Sequence, residues 1–336
     1  RQMCIRDRNN KDKYAFNKVF CMSKIDFGVQ IEPQFGFTYD MIRKIANECE
    51  SLGFESIWIS DPFFMTVDNI DTPCLDCWTT ITALARDTKT LRFGPMVSAQ
   101  SYRNPALLAK IATTIDHISN GRLYFGIGAG WKEVEYRAYG YPFPGPAIRI
   151  RQLDETILIA KKMWTEDKAT FKGKYYTIEE AICAPKPVQK PHIPVWVGGF
   201  GDFTLKVAAR YADACNFAWT LPIAEFKQKL DVLRGHCSSV GRDYSSIRKS
   251  AGLIITIAST ESELRGKLEK LAKISDTPYM RYVSRQRPDL VGTPEVVAAR
   301  VREYLALGVD HFILRFHFGD EIESMKLFMN QVKKRL

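Results

Sequence analysis

The sequence predicts a parallel (β/α)8 barrel of the TIM type with insertions. Strand-length apolar runs alternate with helix-period segments from Lys24 to Leu336, the 336 residues suit one large α/β barrel, and 46% of them are hydrophobic, enough for an extensive core. A doubly wound sheet with a second domain is the alternative that the same alternation allows.

The elements follow in order. Lys24–Gln30 reads as the first strand, and Thr38–Leu52 as a helix with Thr38 at its N-cap and Gly53 as its stop. Ser56–Ser60 is the second strand, Asp76–Arg86 a helix, Leu91–Val97 the third strand, and Pro105–Ile118 a helix opened by Asn104-Pro105. Arg122–Ile127 is the fourth strand, with helices at Lys132–Tyr139 and Ile150–Trp164. A hairpin-like stretch, Thr170–Thr177, and a proline-rich stretch, Pro185–Pro194, interrupt the pattern. Strand five is Pro194–Gly198, then helix Phe203–Tyr211, strand six Ala214–Ala218, helix Ile223–Val240 and strand seven Gly252–Ala258. Glu261–Ile274 is helical, Ser275–Gly292 irregular, Pro294–Leu307 helical, His311–Phe316 the eighth strand, and Asp320–Leu336 a closing helix.

Residues 1–23 differ from the rest. They hold six basic residues against two acidic ones, end before the first strand, and read as an upstream leader, with Met22 as a natural start. The single barrel domain is then expected over residues 24–336. The formal charge of +10 is otherwise spread over mixed-sign helices, which argues against a nucleic-acid partner. No apolar run reaches the length of a membrane span and the N-terminus lacks the apolar centre of a signal peptide, so the expectation is a cytoplasmic protein without a membrane partner. The eight cysteines are scattered and are expected as reduced thiols; Cys74-Leu75-Asp76-Cys77 has metal-ligand spacing but no second pair or nearby His, so no metal site is expected.

In a barrel the chemistry lies at the C-terminal strand ends. That rule sends His117, His192 and His311 to the opposite rim and gathers Gln30, Glu32, Ser60, Asp61, Phe63, Val97–Gln100, Tyr102, Arg103, Asn216, Trp219, Arg315 and His317 at the catalytic one. Two glycine turns join them, Gly126-Ile127-Gly128-Ala129-Gly130-Trp131 and Val197-Gly198-Gly199-Phe200-Gly201. Glycine leaves backbone N–H groups bare, and the apolar, aromatic lining suits a flat ring. Neither register of the first turn completes G-x-G-x-x-G, and neither a P-loop nor a Gly-x-Ser-x-Gly elbow occurs. Hydride transfer by a bound ring cofactor survives these tests, because it asks of the protein mainly orientation and electrostatics.

The segments Leu52–Asp61, Tyr102-Arg103-Asn104-Pro105, Ser119–Trp131, Glu135–Phe143, Gly292-Thr293-Pro294-Glu295 and Leu307–Phe312 resemble the bacterial luciferase-like superfamily, and within it the coenzyme F420-dependent oxidoreductases. The resemblance implies an oxidoreductase that moves a hydride between coenzyme F420 and a small organic substrate, with an FMN-dependent monooxygenase of the same superfamily or a flavin-binding barrel without turnover as alternatives, and a homodimer, which apolar character around Leu107, Leu108 and Ile111 would suit. It implies a cis peptide at Met96-Val97, forming a bulge behind the ring, and phosphate contacts at Gly198-Gly199 and Gly201. The turn Gly128-Ala129-Gly130 would flank the cofactor from the opposite side, with Trp131 walling the pocket. Many such members read Asp-His-Phe after strand two, where this chain reads Asp61-Pro62-Phe63. Proton transfer must then fall to Asp61, Glu32, His317 or water. A carboxylate serves if apolar neighbours such as Phe63, Phe64 and Trp58 raise its pKa. Glu135, four residues beyond Trp131, is expected to orient Arg137 or a neighbouring strand.

Overall fold

The computed structural model describes residues 24–219, 221–281 and 289–336; the leader lies outside them. Its strands are β1 (Asp26–Ile31), β2 (Ser56–Ile59), β3 (Arg92–Pro95), β4 (Ser98–Ala99), β5 (Phe125–Gly128), β6 (Ala169–Lys172), β7 (Thr177–Ala181), β8 (Val195–Gly198), β9 (Ala214–Phe217), β10 (Arg248–Ile257), β11 (Leu290–Gly292) and β12 (His311–Arg315). The helices that position the site are α1 (Tyr39–Leu52), α2 (Cys77–Asp87), α3 (Pro105–Ile118), α4 (Glu133–Ala138), α5 (Pro146–Thr165) and α6 (Asp202–Tyr211), followed by α7 (Ile223–Ser239), α8 (Glu261–Ile274), α9 (Pro294–Ala306) and α10 (Glu321–Leu327).

The main sheet runs β3-β2-β1-β12-β10-β9-β8-β5-β4, and every pairing along it is parallel. Its two end strands, β3 and β4, are consecutive stretches of one chain segment interrupted at Met96-Val97, so the sheet closes on itself as a barrel. A bridge from Phe93 to Leu123 seals the seam below the interruption. The Met96-Val97 peptide is cis, as is Ala218-Trp219 at the end of β9.

Local signals explain the helices. Thr38 and Asp76 accept from the backbone N–H three residues on, Asn104 caps α3, and Gly53 closes α1 at φ +77°. Inside the barrel, Trp58 stacks on Tyr124 at 5.4 Å and meets Trp196 at 4.6 Å, and with Met96 and Ile313 they form a cluster separate from the helix-facing core. Below them His311 is fully buried between Ser56 (3.3 Å), Ser250 (3.0 Å) and Glu55 (3.4 Å). Burial lowers its pKa against the pull of Glu55, and the imidazole closes the lower rim as expected.

Several elements depart from the sequence pattern. The third strand splits at Met96-Val97, and the seventh begins at Arg248 because its lower half pairs with both β9 and β12. Helix α5 starts at Pro146, which takes the N1 position after Gly145. The stretch read as irregular ends in β11, which pairs with Ile255–Ile257 of β10; its residues 282–288 lie outside the described ones. The closing helix widens into a π-turn at Phe328–Val332 and then tightens into a 3-10 turn at Lys333–Arg335. Leu108 is fully buried, so of the apolar trio on α3 Leu107 alone is exposed. The hairpin at Thr170–Thr177 is present as β6 and β7, its turn held by Glu155, which accepts from the N–H groups of Lys174, Tyr175 and Tyr176.

Candidate functional site

A cavity of about 540 Å³ opens at the C-terminal end of the barrel. Its wall includes Glu32 and Gln34 after β1, Ser60, Asp61, Pro62 and Met65 after β2, and Met96, Val97 and Ala99 at the broken strand. Gly128–Lys132 after β5, Gly198 and Gly199 after β8, Thr204 of α6, and Asn216, Ala218 and Trp219 after β9 close the circuit, with Tyr102 and Glu135 behind them.

The two glycine turns are neighbours rather than opposite sides, because β5 pairs directly with β8. Val97 fits against both. A Cβ on Gly128 would lie 2.7 Å from Val97 Cγ2, and one on Gly198 would lie 2.7 Å from Val97 Cγ1. Just below, a Cβ on Gly126 would lie 1.8 Å from the Pro95 carbonyl oxygen. The glycines let the broken strand pack closely on β5 and β8, where Met96 and Val97 both line the cavity.

Beyond Gly198 the chain turns through Gly199 at φ +122° into α6, whose N-cap, Gly201, supplies no side-chain acceptor. The first α6 backbone bond runs from Leu205 N–H to the Gly201 carbonyl. The N–H groups of Asp202, Phe203 and Thr204 therefore have no partner within the helix, the arrangement that suits an anion. The Asp202 carboxylate is engaged by His236 at 3.0 Å.

Asp61 is buried. Its Oδ2 accepts from Arg103 Nη1 at 2.7 Å and from Ser98 Oγ at 2.5 Å, and Arg103 Nη2 continues to Asp76 at 2.6 Å. Burial raises the Asp61 pKa above the ordinary carboxylate value, against the pull of Arg103 and Ser98. Burial works against the Arg103 charge too, but Asp61 and Asp76 outweigh it and hold the guanidinium protonated. The network ties the loop after β2 to β4 and to the cap of α2. Trp58 is not among its partners, since its ring lies in the barrel interior, and Phe63 stacks instead with Tyr102 and Tyr139.

Glu32 lines the cavity and pairs through Oε2 with Arg315 Nη1 at 2.9 Å, leaving Oε1 outside that pair. His317 does not line the cavity. Its Nε2 meets Thr256 Oγ1 at 2.7 Å, and burial, with Arg315 nearby, pushes its pKa down to about 4. Gly201, two residues beyond Gly199, also lies outside the cavity wall. Trp131 stands at the mouth, 81% exposed.

The sequence reading missed Lys132, Met65, Gln34 and Thr204 on this wall, and it misplaced Glu135. That carboxylate is 1% exposed and gathers the Phe63 N–H (3.0 Å), Tyr102 Oη (2.7 Å) and Lys132 Nζ (2.7 Å). Arg137 pairs with Glu133. The i,i+3 spacing of Lys132 and Glu135 was the available signal. The Cys74 thiol donates to the Pro62 carbonyl at 3.3 Å and is pushed up to about 11 by burial, so it stays protonated at neutral pH. Among the described residues no group of His, Cys, Asp and Glu is arranged to hold a metal ion, and no helix is long and apolar enough to cross a membrane.

Comparison with known proteins gives a consistent picture. The chain is 26% identical to an FMNH2-dependent dimethylsulfone monooxygenase of Pseudomonas putida over 325 residues, covering 88% of each. It is 24% identical to an F420-dependent glucose-6-phosphate dehydrogenase of Amycolatopsis mediterranei strain U-32, covering 94% of this chain and 99% of that one. The coenzyme F420-dependent tetrahydromethanopterin reductase of Methanopyrus kandleri superposes with a TM-score of 0.77 at 19% identity, covering 93% of this chain and 99% of that one. The family model for luciferase-like monooxygenases matches residues 18–311, and the chain belongs to that family.

Proposed function

We propose that the protein is a coenzyme F420-dependent oxidoreductase that moves a hydride between the deazaflavin and a small organic substrate. The observation that carries the reading is the seat made by Val97 against Gly128 and Gly198, continuous with the unpartnered N–H groups that open α6. An apolar floor beside a cluster of backbone donors fits a flat ring with a phosphorylated tail. Two F420-dependent relatives, which cover 94% and 86% of this chain, support the deazaflavin. The Pseudomonas putida relative keeps reduced FMN, and with it a monooxygenase, as the second reading.

When bound, the cofactor supplies the hydride donor or acceptor. The chain's own residues do the rest. Met96 and Val97 support the ring, Gly130 and Trp131 border it, and Gly198, Gly199 and the start of α6 hold the phosphate. Asp61 has its oxygens committed to Arg103 and Ser98, and so fixes the loop that carries Pro62. Glu32 is the proton-handling group, since it reaches the cavity with Oε1 outside its ion pair. Parallel binding titrations with coenzyme F420 and FMN test the assignment. Micromolar or tighter F420 binding with weak FMN binding is expected; the reverse selects the monooxygenase.

A further inference from the structure

We infer that the substrate is a neutral, largely apolar organic molecule rather than a phosphorylated or carboxylated one, an inference that rests on the oxidoreductase reading above. The first ground is the state of the charges. Lys132 is held by Glu135 at 2.7 Å and by the Phe64 carbonyl, with its ammonium 4.9 Å from the centre of the Phe64 ring. Arg103 is held by Asp61 and Asp76, and Arg315 by Glu32 at 2.9 Å. Among the described residues, then, the cations around this end of the cavity are already matched by carboxylates. An anionic substrate would face the Glu32 carboxylate and ion pairs whose cations are already engaged. To draw Lys132 away it would strand the Glu135 carboxylate, 1% exposed, without its cation, which is strongly unfavourable.

The second ground is independent of charge. The loops after β2 and β5 carry Val67, Ile70 and Trp131, which are 56%, 87% and 81% exposed. Single exposed apolar residues are ordinary. Pro62, Met65 and Trp131 of the same two loops line the cavity and give it apolar side chains there, as at sites that receive apolar ligands. The backbone donors suited to an anion lie at the other end, beside Gly199 and Thr204. The cavity thus separates an anion-binding end for the cofactor from an apolar end for the substrate.

Calorimetry on the full chain tests this, with and without saturating coenzyme F420, using cyclohexanone and its methyl, ethyl and propyl homologues against glucose 6-phosphate. Each added methylene should tighten binding about three- to fourfold, with a negative heat-capacity change, and the sugar phosphate should bind more weakly than every ketone. Ketones that do not bind, affinity that ignores chain length, or tighter binding of glucose 6-phosphate overturns the inference. Failure of coenzyme F420 itself to bind, in a separate titration, overturns the cofactor reading instead.

Discussion

Val97 occupies the space that a side chain at Gly198 would need, with Cγ1 2.7 Å from the position of a Cβ there. Gly128 stands in the same relation to Cγ2. A valine has no flexible end to withdraw, so Gly198→Ala should push the broken strand off its seat. The expected result is at least a tenfold loss of cofactor affinity, an energy of about 1.4 kcal/mol. Val97→Ala in the same chain should restore much of it, because it removes both γ-carbons. Fluorescence titration of the single and double variants reads both effects, and wild-type affinity in Gly198→Ala would show that the contact does not shape the site.

The sequence carried the barrel well because strand and helix periods are local properties, and the rule that chemistry gathers at C-terminal strand ends then placed Glu32, Asp61, Val97, Gly128 and Gly198 on one wall. It misjudged what depends on partners far along the chain. Glu135 was expected to orient Arg137 or a neighbouring strand, yet Tyr102, 33 positions away, and the Phe63 N–H, 72 away, are its partners. His317 belongs to a strand end, but its side chain turns to Thr256 and away from the cavity. Spacing along one element indicates the rim and not the direction of a side chain after the strand has ended. The two glycine turns looked opposed for a related reason. Their separation in sequence is large, while strands four and five are adjacent in any barrel of this order.

Removing the guanidinium that holds Asp61 should cost more than neutralising Asp61. Arg103→Met leaves a buried carboxylate without its cation and Asp76 without its partner, a loss of about 3 kcal/mol. Asp61→Asn retains an oxygen to accept from Ser98 or Arg103 and should cost less. Urea unfolding of the two variants ranks them, and equal stability losses would contradict this account of the network.

His317 gives a stability that depends on pH. Its pKa is about 4 in the folded protein against 6.5 for the ordinary side chain, so below 6.5 the unfolded chain binds the proton more readily. This contribution is fully present above pH 6.5, falls as pH drops toward 4, and levels off below that. The difference amounts to at most about 3 kcal/mol, and less where solvent reaches the ring. His317→Asn should flatten the stability profile between pH 6.5 and 4 relative to wild type. An unchanged slope in the variant would assign it to other groups.

With proline at position 62, the proton-transfer role proposed for Glu32 can be tested directly. Glu32→Gln preserves the shape of the side chain and an oxygen to accept from Arg315, so binding should change little. The amide cannot exchange a proton as a carboxyl does, and kcat should fall about 10²-fold, the lower end of what a positioned acid or base contributes. A rise in KM at constant kcat would mark Glu32 as a binding group. A variant as active as wild type would leave solvent water as the proton carrier.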